Sequence, residues 1–155
     1  MKATVVRRTP LRYAEGSDAS LDRPAHVRAG SGLVRFGGQI AIIQDDALFV
    51  GLLEPASGDI AHVTLPAGEG GLRLFDEHRG NKQFKLDLEA CTVVPWADGE
   101  ALLAFGSGST ARRESLVLLQ ASGHVRMIGA QGLYAALRAE TVFSGSELNV
   151  EGALY

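Results

Sequence analysis

The chain has 155 residues, 46% of them hydrophobic and 21% charged, with a formal net charge of −3. That composition belongs to a globular protein with a sizeable core and excludes a disordered chain. The acidic balance argues against a nucleic-acid or anionic-membrane surface, and a lone cysteine, Cys91, excludes an internal disulfide and a cysteine-based zinc site.

No apolar segment of signal-peptide length opens the chain, and no apolar run approaches the ~18 residues that would span a bilayer. A cytoplasmic location is the expectation. Glycine is abundant at 19 residues and helix-period patterns are nearly missing, which predicts many short strands joined by tight turns.

Residues 3–13 alternate loosely and predict a leading strand interrupted by Pro10, and residues 14–26 predict a loop. Regular patterning starts at Val27. Leu33-Val34-Arg35-Phe36, residues 39–44, residues 48–53 and residues 60–65 predict four strands of an antiparallel meander, with Gly37-Gly38 as a tight hairpin turn. Residues 66–83 form a long polar, Gly-rich connection, a length that usually pairs, covers an edge or carries function. A second meander follows: residues 85–94, an Ala97-Asp98-Gly99 turn, then residues 100–105, 115–119 and 125–128. Residues 131–140 predict the one short helix, with Leu133, Tyr134 and Leu137 on one face. Residues 147–155 read as the first strand of a third repeat.

Ser31-Gly32-Leu33, Glu89-Ala90-Cys91 and Glu151-Gly152-Ala153 align at offsets of 58 and 62 residues, each covering four strands. Repeats of four-stranded sheets that are apolar on both faces need a neighbour on each side, which predicts a β-propeller arrangement. A β-sandwich is the competing fold. The predicted organisation is therefore all-β: residues 1–26 leading strand and loop, 27–83 and 84–146 two four-stranded antiparallel blades, and 147–155 the start of a third. Two blades and a strand do not close a ring. The expectation is a piece of a longer protein, its remaining blades following, or a ring completed by a homo-oligomer partner.

Lys85-Leu86-Asp87-Leu88-Glu89-Ala90, Ala104-Phe105-Gly106-Ser107-Gly108-Ser109 and Glu147-Leu148-Asn149-Val150-Glu151-Gly152-Ala153 resemble recurring motifs of uncharacterised bacterial β-propellers. More distantly they resemble phytase-like propellers with esterase-like activity. In that group an Asp or Asn, an apolar residue, Glu and a Gly or Ala open an innermost blade strand. The resemblance implies acidic groups near the propeller axis and calcium binding. The first repeat departs from the pattern, with Ser31 where the others carry Glu.

Glu89 and Glu151, with Asp87, lie in strands screened from water, where an unpaired carboxylate protonates or acquires a cation. Three roles stay open for them: a structural one, holding backbone N–H groups or an Arg or Lys of the neighbouring blade, a calcium or magnesium site with Asp45 and Asp46 as further oxygen donors, or a general acid or base. Asp45-Asp46 also reads as a turn signal. His78, Arg79, Lys82 and Lys85 could bind a phosphate or carboxylate at the channel mouth; the plainer reading is a solvated loop with internal ion pairs. The Gly106–Thr110 run with Arg112-Arg113 lacks the ending of a P-loop, and no nucleophile elbow occurs. The functional expectation is a propeller that binds a small anionic ligand or a divalent metal at its channel mouth. The alternatives are a non-catalytic binding scaffold with structural carboxylates and a phosphoester or ester hydrolase.

Overall fold

In the computed structural model, which describes residues 3–6, 8–97, 99–145 and 147–155, eight strands form two four-stranded antiparallel sheets. The first contains β1 (Gly30–Phe36), β2 (Gln39–Gln44), β3 (Phe49–Leu53) and β4 (Ile60–Thr64), paired in chain order. The second repeats that order with β5 (Leu88–Trp96), β6 (Gly99–Gly106), β7 (Ser115–Gln120) and β8 (Val125–Gly129). Neither sheet closes into a barrel. Gly37 and Gly38 hold φ of 57° and 81°, as a two-residue hairpin requires, and the Gly37 N–H donates to the Glu100 carboxylate of the other sheet at 2.7 Å. In the corresponding turn of the second sheet, the expected Ala97-Asp98-Gly99, Asp98 lies outside the described residues.

The repeat visible in the sequence is a repeat of backbone geometry. The β1–β2 ladder shifts register between Gly30 and Gly32, and the β5–β6 ladder shifts between Leu88 and Ala90. The extra residues are Ser31 and Glu89, the two aligned positions. Two residues before each bulge the backbone turns left-handed, at Ala29 (φ 23°) and Asp87 (φ 59°). A bulge kinks its strand and re-aims one side chain, so both sheets present the residue at this position in the same way.

The sheets pack face to face around one apolar core. Phe36, Ala41, Ile43, Val50 and Phe75 meet Leu88, Leu102, Ala104, Val117 and Leu119, all buried. The leading edge strands of the two sheets, β1 and β5, approach most closely. Glycine at 32 makes this possible, since a Cβ there would sit 3.1 Å from Cys91 Sγ. The Ser31 hydroxyl donates across the gap to the Leu88 carbonyl. Burial pushes the Cys91 thiol up to about 11, so it acts as a small apolar filler.

The amino-terminal segment departs from the expected leading strand. Among the described residues it forms isolated bridges only, Arg12 with His26 and Tyr13 with Ile60. The reason is side-chain anchoring: the buried Gln44 amide donates to Tyr13 Oη at 2.9 Å and to the Phe49 carbonyl at 2.8 Å, and accepts from the Arg28 N–H at 2.7 Å. The long connection both pairs and covers. Leu74 bridges Ala47, and Phe75 enters the core.

α1 (Gln131–Ala139) falls where the pattern placed it, followed by the short α2 (Thr141–Ser144). Tyr134 is fully buried and donates its hydroxyl to the Gly106 carbonyl at 2.6 Å. Residues 147–155 form no ladder among the described residues. A strand needs a neighbour to pair with, and this segment instead packs Leu148 and Val150 beside Tyr134. No described helix is long and apolar enough to cross a membrane.

Candidate functional site

The bulged end of β5 gathers charge. β2 delivers Asp45 from the first sheet, and the chain entering β5 delivers Lys85, Asp87 and Glu89. The loop after β6 delivers Ser107, Ser109 and Arg113. Lys85 Nζ bridges the sheets, donating to Asp45 and, at 2.5 Å, to Asp87. Asp87 is further held by Arg113 at 2.8 Å and by the Ser107 hydroxyl at 2.6 Å, while Arg113 also donates to Ser109 Oγ at 2.8 Å. Asp87 is 5% exposed and Lys85 8%, so these pairs lie largely out of water.

Burial raises the Asp87 carboxyl, but its hydrogen bonds with Asp45, Lys85 and Ser107 and the Lys85 charge outweigh that and hold it at about 2. Asp45 moves upward, first through burial and then through its contact with Asp87. The two adjoining carboxyls are thus driven in opposite directions, Asp87 down and Asp45 up.

Glu89 is the odd member. One carboxylate oxygen each from Asp45, Asp87 and Glu89 lie within 4.8 Å of one another. Asp45 and Asp87 have partners, whereas only burial and charge act on Glu89. Burial leads, the negative charges of Asp45, Asp87 and Glu151 add, Lys85 opposes, and the carboxyl rises to about 7. Beside it opens a cleft of about 620 Å³, walled by Asp87, Glu89, Glu114 and Glu147 and by Arg113 and Arg138. Arg138 pairs with the buried Glu114 at 2.8 Å. Oxygen-only donors around a surplus negative charge suit a hard cation such as calcium.

The other expected site residues fall elsewhere. Asp46 turns away to Arg28 at 2.7 Å, and Arg28 also reaches Asp76 at 3.1 Å. Glu151 is exposed and accepts from the Asn149 amide, contributing repulsion to Glu89 but no ligand oxygen to the cluster. Among the expected anion binders, Arg79 Nη1 donates to both carboxylate oxygens of Asp22 at 2.9 and 3.0 Å, and Lys82 pairs with Glu77 at 2.9 Å. Lys85 serves the carboxylates, and His78 stands in an exposed turn. Of these four, Lys82 and Lys85 line one small cavity with Asp45, Asp46 and Asp76, and both are already paired with carboxylates.

Sequence reasoning did not assign Ser107, Ser109 and Arg113 to this cluster. Their signal lay in the Gly106–Thr110 run and Arg112-Arg113, whose donors meet the protein's own Asp87.

Fold and cleft together define an all-β protein of repeated four-stranded meanders, with a charged cleft at the entry to the second sheet, between the start of β5, the loop after β6, α1 and residues 147–149. The chain belongs to a family of unknown function, DUF6929, which matches residues 26–155 and so begins where the first repeat begins. No curated protein matches the chain.

Proposed function

We propose that this chain supplies two blades of a propeller-type binding scaffold that holds a divalent cation, calcium by the chemistry of its donors, on Glu89 in the cleft at the entry to the second sheet. The observation that carries the reading is Glu89 itself: a carboxylate at a bulge, with no counter-ion of its own among the described residues, raised to about 7 by burial and by neighbouring carboxylates, and facing an open cleft. A group so placed gains more from a cation than from an anion. Asp45 and Asp87 add oxygens to the same centre, with the Lys85 ammonium neutralising part of their charge. The propeller part of the reading is supported by two sheets of identical strand order, with bulges at aligned positions and their leading edge strands closest.

Titration calorimetry with calcium chloride tests the reading. The wild type is expected to bind at neutral pH and Glu89→Gln to bind at least about tenfold more weakly, a loss of about 1.4 kcal/mol. Absence of binding by both proteins would overturn it.

A second reading is a scaffold without a bound ion, its carboxylates locking the blades together. It is favoured by the Lys85 bridge, which ties Asp45 of the first sheet to Asp87 of the second. Under that reading calcium leaves stability unchanged.

A further inference from the structure

Alternation along the second sheet sends Leu102, Ala104, Val117 and Leu119 toward the first sheet, so Leu103, Phe105 and Leu116 point away from it. The strand registers allow the two sheets to be superposed residue by residue. Val34, Ile43 and Val50 on the near face of the first sheet correspond to Thr92, Phe105 and Leu116 on the far face of the second. In the first sheet this face is covered by a complete four-stranded sheet, and Ile43 and Val50 are fully buried. In the second sheet Thr92, Phe105 and Leu116 are only half-buried. A mainly apolar cavity of about 340 Å³ opens there, between Phe105, Leu133, Leu137, Val150 and Ala153.

The start of a cover is already in place. Asn149-Val150-Glu151-Gly152-Ala153 aligns with Asp87-Leu88-Glu89-Ala90-Cys91, the entry into β5. Leu148 is 7% exposed, and the Val150 N–H donates to the Ser107 carbonyl at 2.8 Å. Beyond that anchor Glu151, Gly152, Leu154 and Tyr155 are exposed, and no described strand pairs with them.

We propose that the far face of the second sheet, with residues 151–155 as its open edge, is the docking surface for a third four-stranded antiparallel sheet of this same repeat, whose next strand pairs onto 151–155 as β6 pairs onto β5. The partner's chemistry follows from the interface already formed: alternating aliphatic side chains on the facing side, spaced as Leu102, Ala104, Val117 and Leu119 are. Edge pairing gives affinity through backbone hydrogen bonds, and the apolar face gives register. The inference stands whether or not Glu89 binds calcium.

The test uses the whole 155-residue chain and a fluorescein-labelled peptide of residues 99–120, the β6–β7 sequence that pairs beside the aligned strand. Saturable binding by anisotropy is expected, weakened about tenfold or more by Phe105→Glu in the protein. Gly152→Pro is expected to weaken it similarly. A Cβ at position 152 meets nothing within 4 Å, so the side chain is accommodated there while the backbone donor is removed. Absent binding, or binding indifferent to both substitutions, would overturn the proposal. So would a dimer in sedimentation that Phe105→Glu dissociates, which would make a second copy the occupant.

Discussion

Replacing Glu89 with Gln keeps the shape of the side chain and removes its proton equilibrium. In the folded protein the carboxyl sits at about 7, against 4.5 for an unperturbed glutamate. Between those values the folded protein keeps a proton that the unfolded chain has released. Stability is therefore fully present below about 4.5 and declines as pH rises through about 7. At 1.36 kcal/mol per pH unit the full displacement corresponds to about 3 kcal/mol. Glu89 is only half-buried and water screens it, so about 1 kcal/mol is the effect expected in practice. Urea denaturation at about pH 5 and about pH 8 reads it out. Glu89→Gln should match the wild type at the lower pH and exceed it by about 1 kcal/mol at the higher, a Tm gain of roughly 2–4 °C. Calcium at the higher pH should restore the wild type and stabilise the variant less. An identical pH dependence for the two proteins would refute the argument, because it would mean that Glu89 titrates like a solvated side chain.

Two further substitutions probe the frame around the cleft. Lys85→Met leaves Asp45 without its ammonium and Asp87 with Arg113 and Ser107 alone; about 2–4 kcal/mol should be lost at neutral pH, and less at acidic pH, where the raised Asp45 carboxyl takes up a proton, by chemical denaturation. An equal loss at both pH values would show that packing rather than charge is at stake. Tyr134→Phe removes the hydroxyl that satisfies the buried Gly106 carbonyl and should cost about 1–2 kcal/mol in urea, with α1 loosening first in hydrogen exchange; no change would show that water replaces it.

The strands were legible because their period-two patterns are bounded by glycine turns, and the eight runs fall within a few residues of the observed ladders. The repeat was legible through Asp87-Leu88-Glu89 and Asn149-Val150-Glu151. Here the acidic or amide residue suits a left-handed backbone, which Asp87 adopts at φ 59°. The meeting of Asp45 with Asp87 and Glu89 was also within reach, since aligned repeats place the end of β2 beside the entry to β5. The leading strand was not legible, because tertiary contacts from Gln44 and Ile60 override the loose alternation of residues 3–13. Nor was the role of Lys85. A lysine before a strand reads as a solvated cation, and only the left-handed turn at Asp87 and the closeness of β1 to β5 bring two carboxylates onto it. Arg113 was hidden for the same kind of reason: its partner lies 26 positions away, across a hairpin whose loop carries no motif.

The most direct test is an NMR titration of the Glu89 side-chain carboxyl, followed with and without calcium. The account predicts a midpoint of about 7 that falls markedly when calcium is added, as the cation takes the proton's place. A midpoint in the ordinary glutamate range that does not respond to calcium would contradict it.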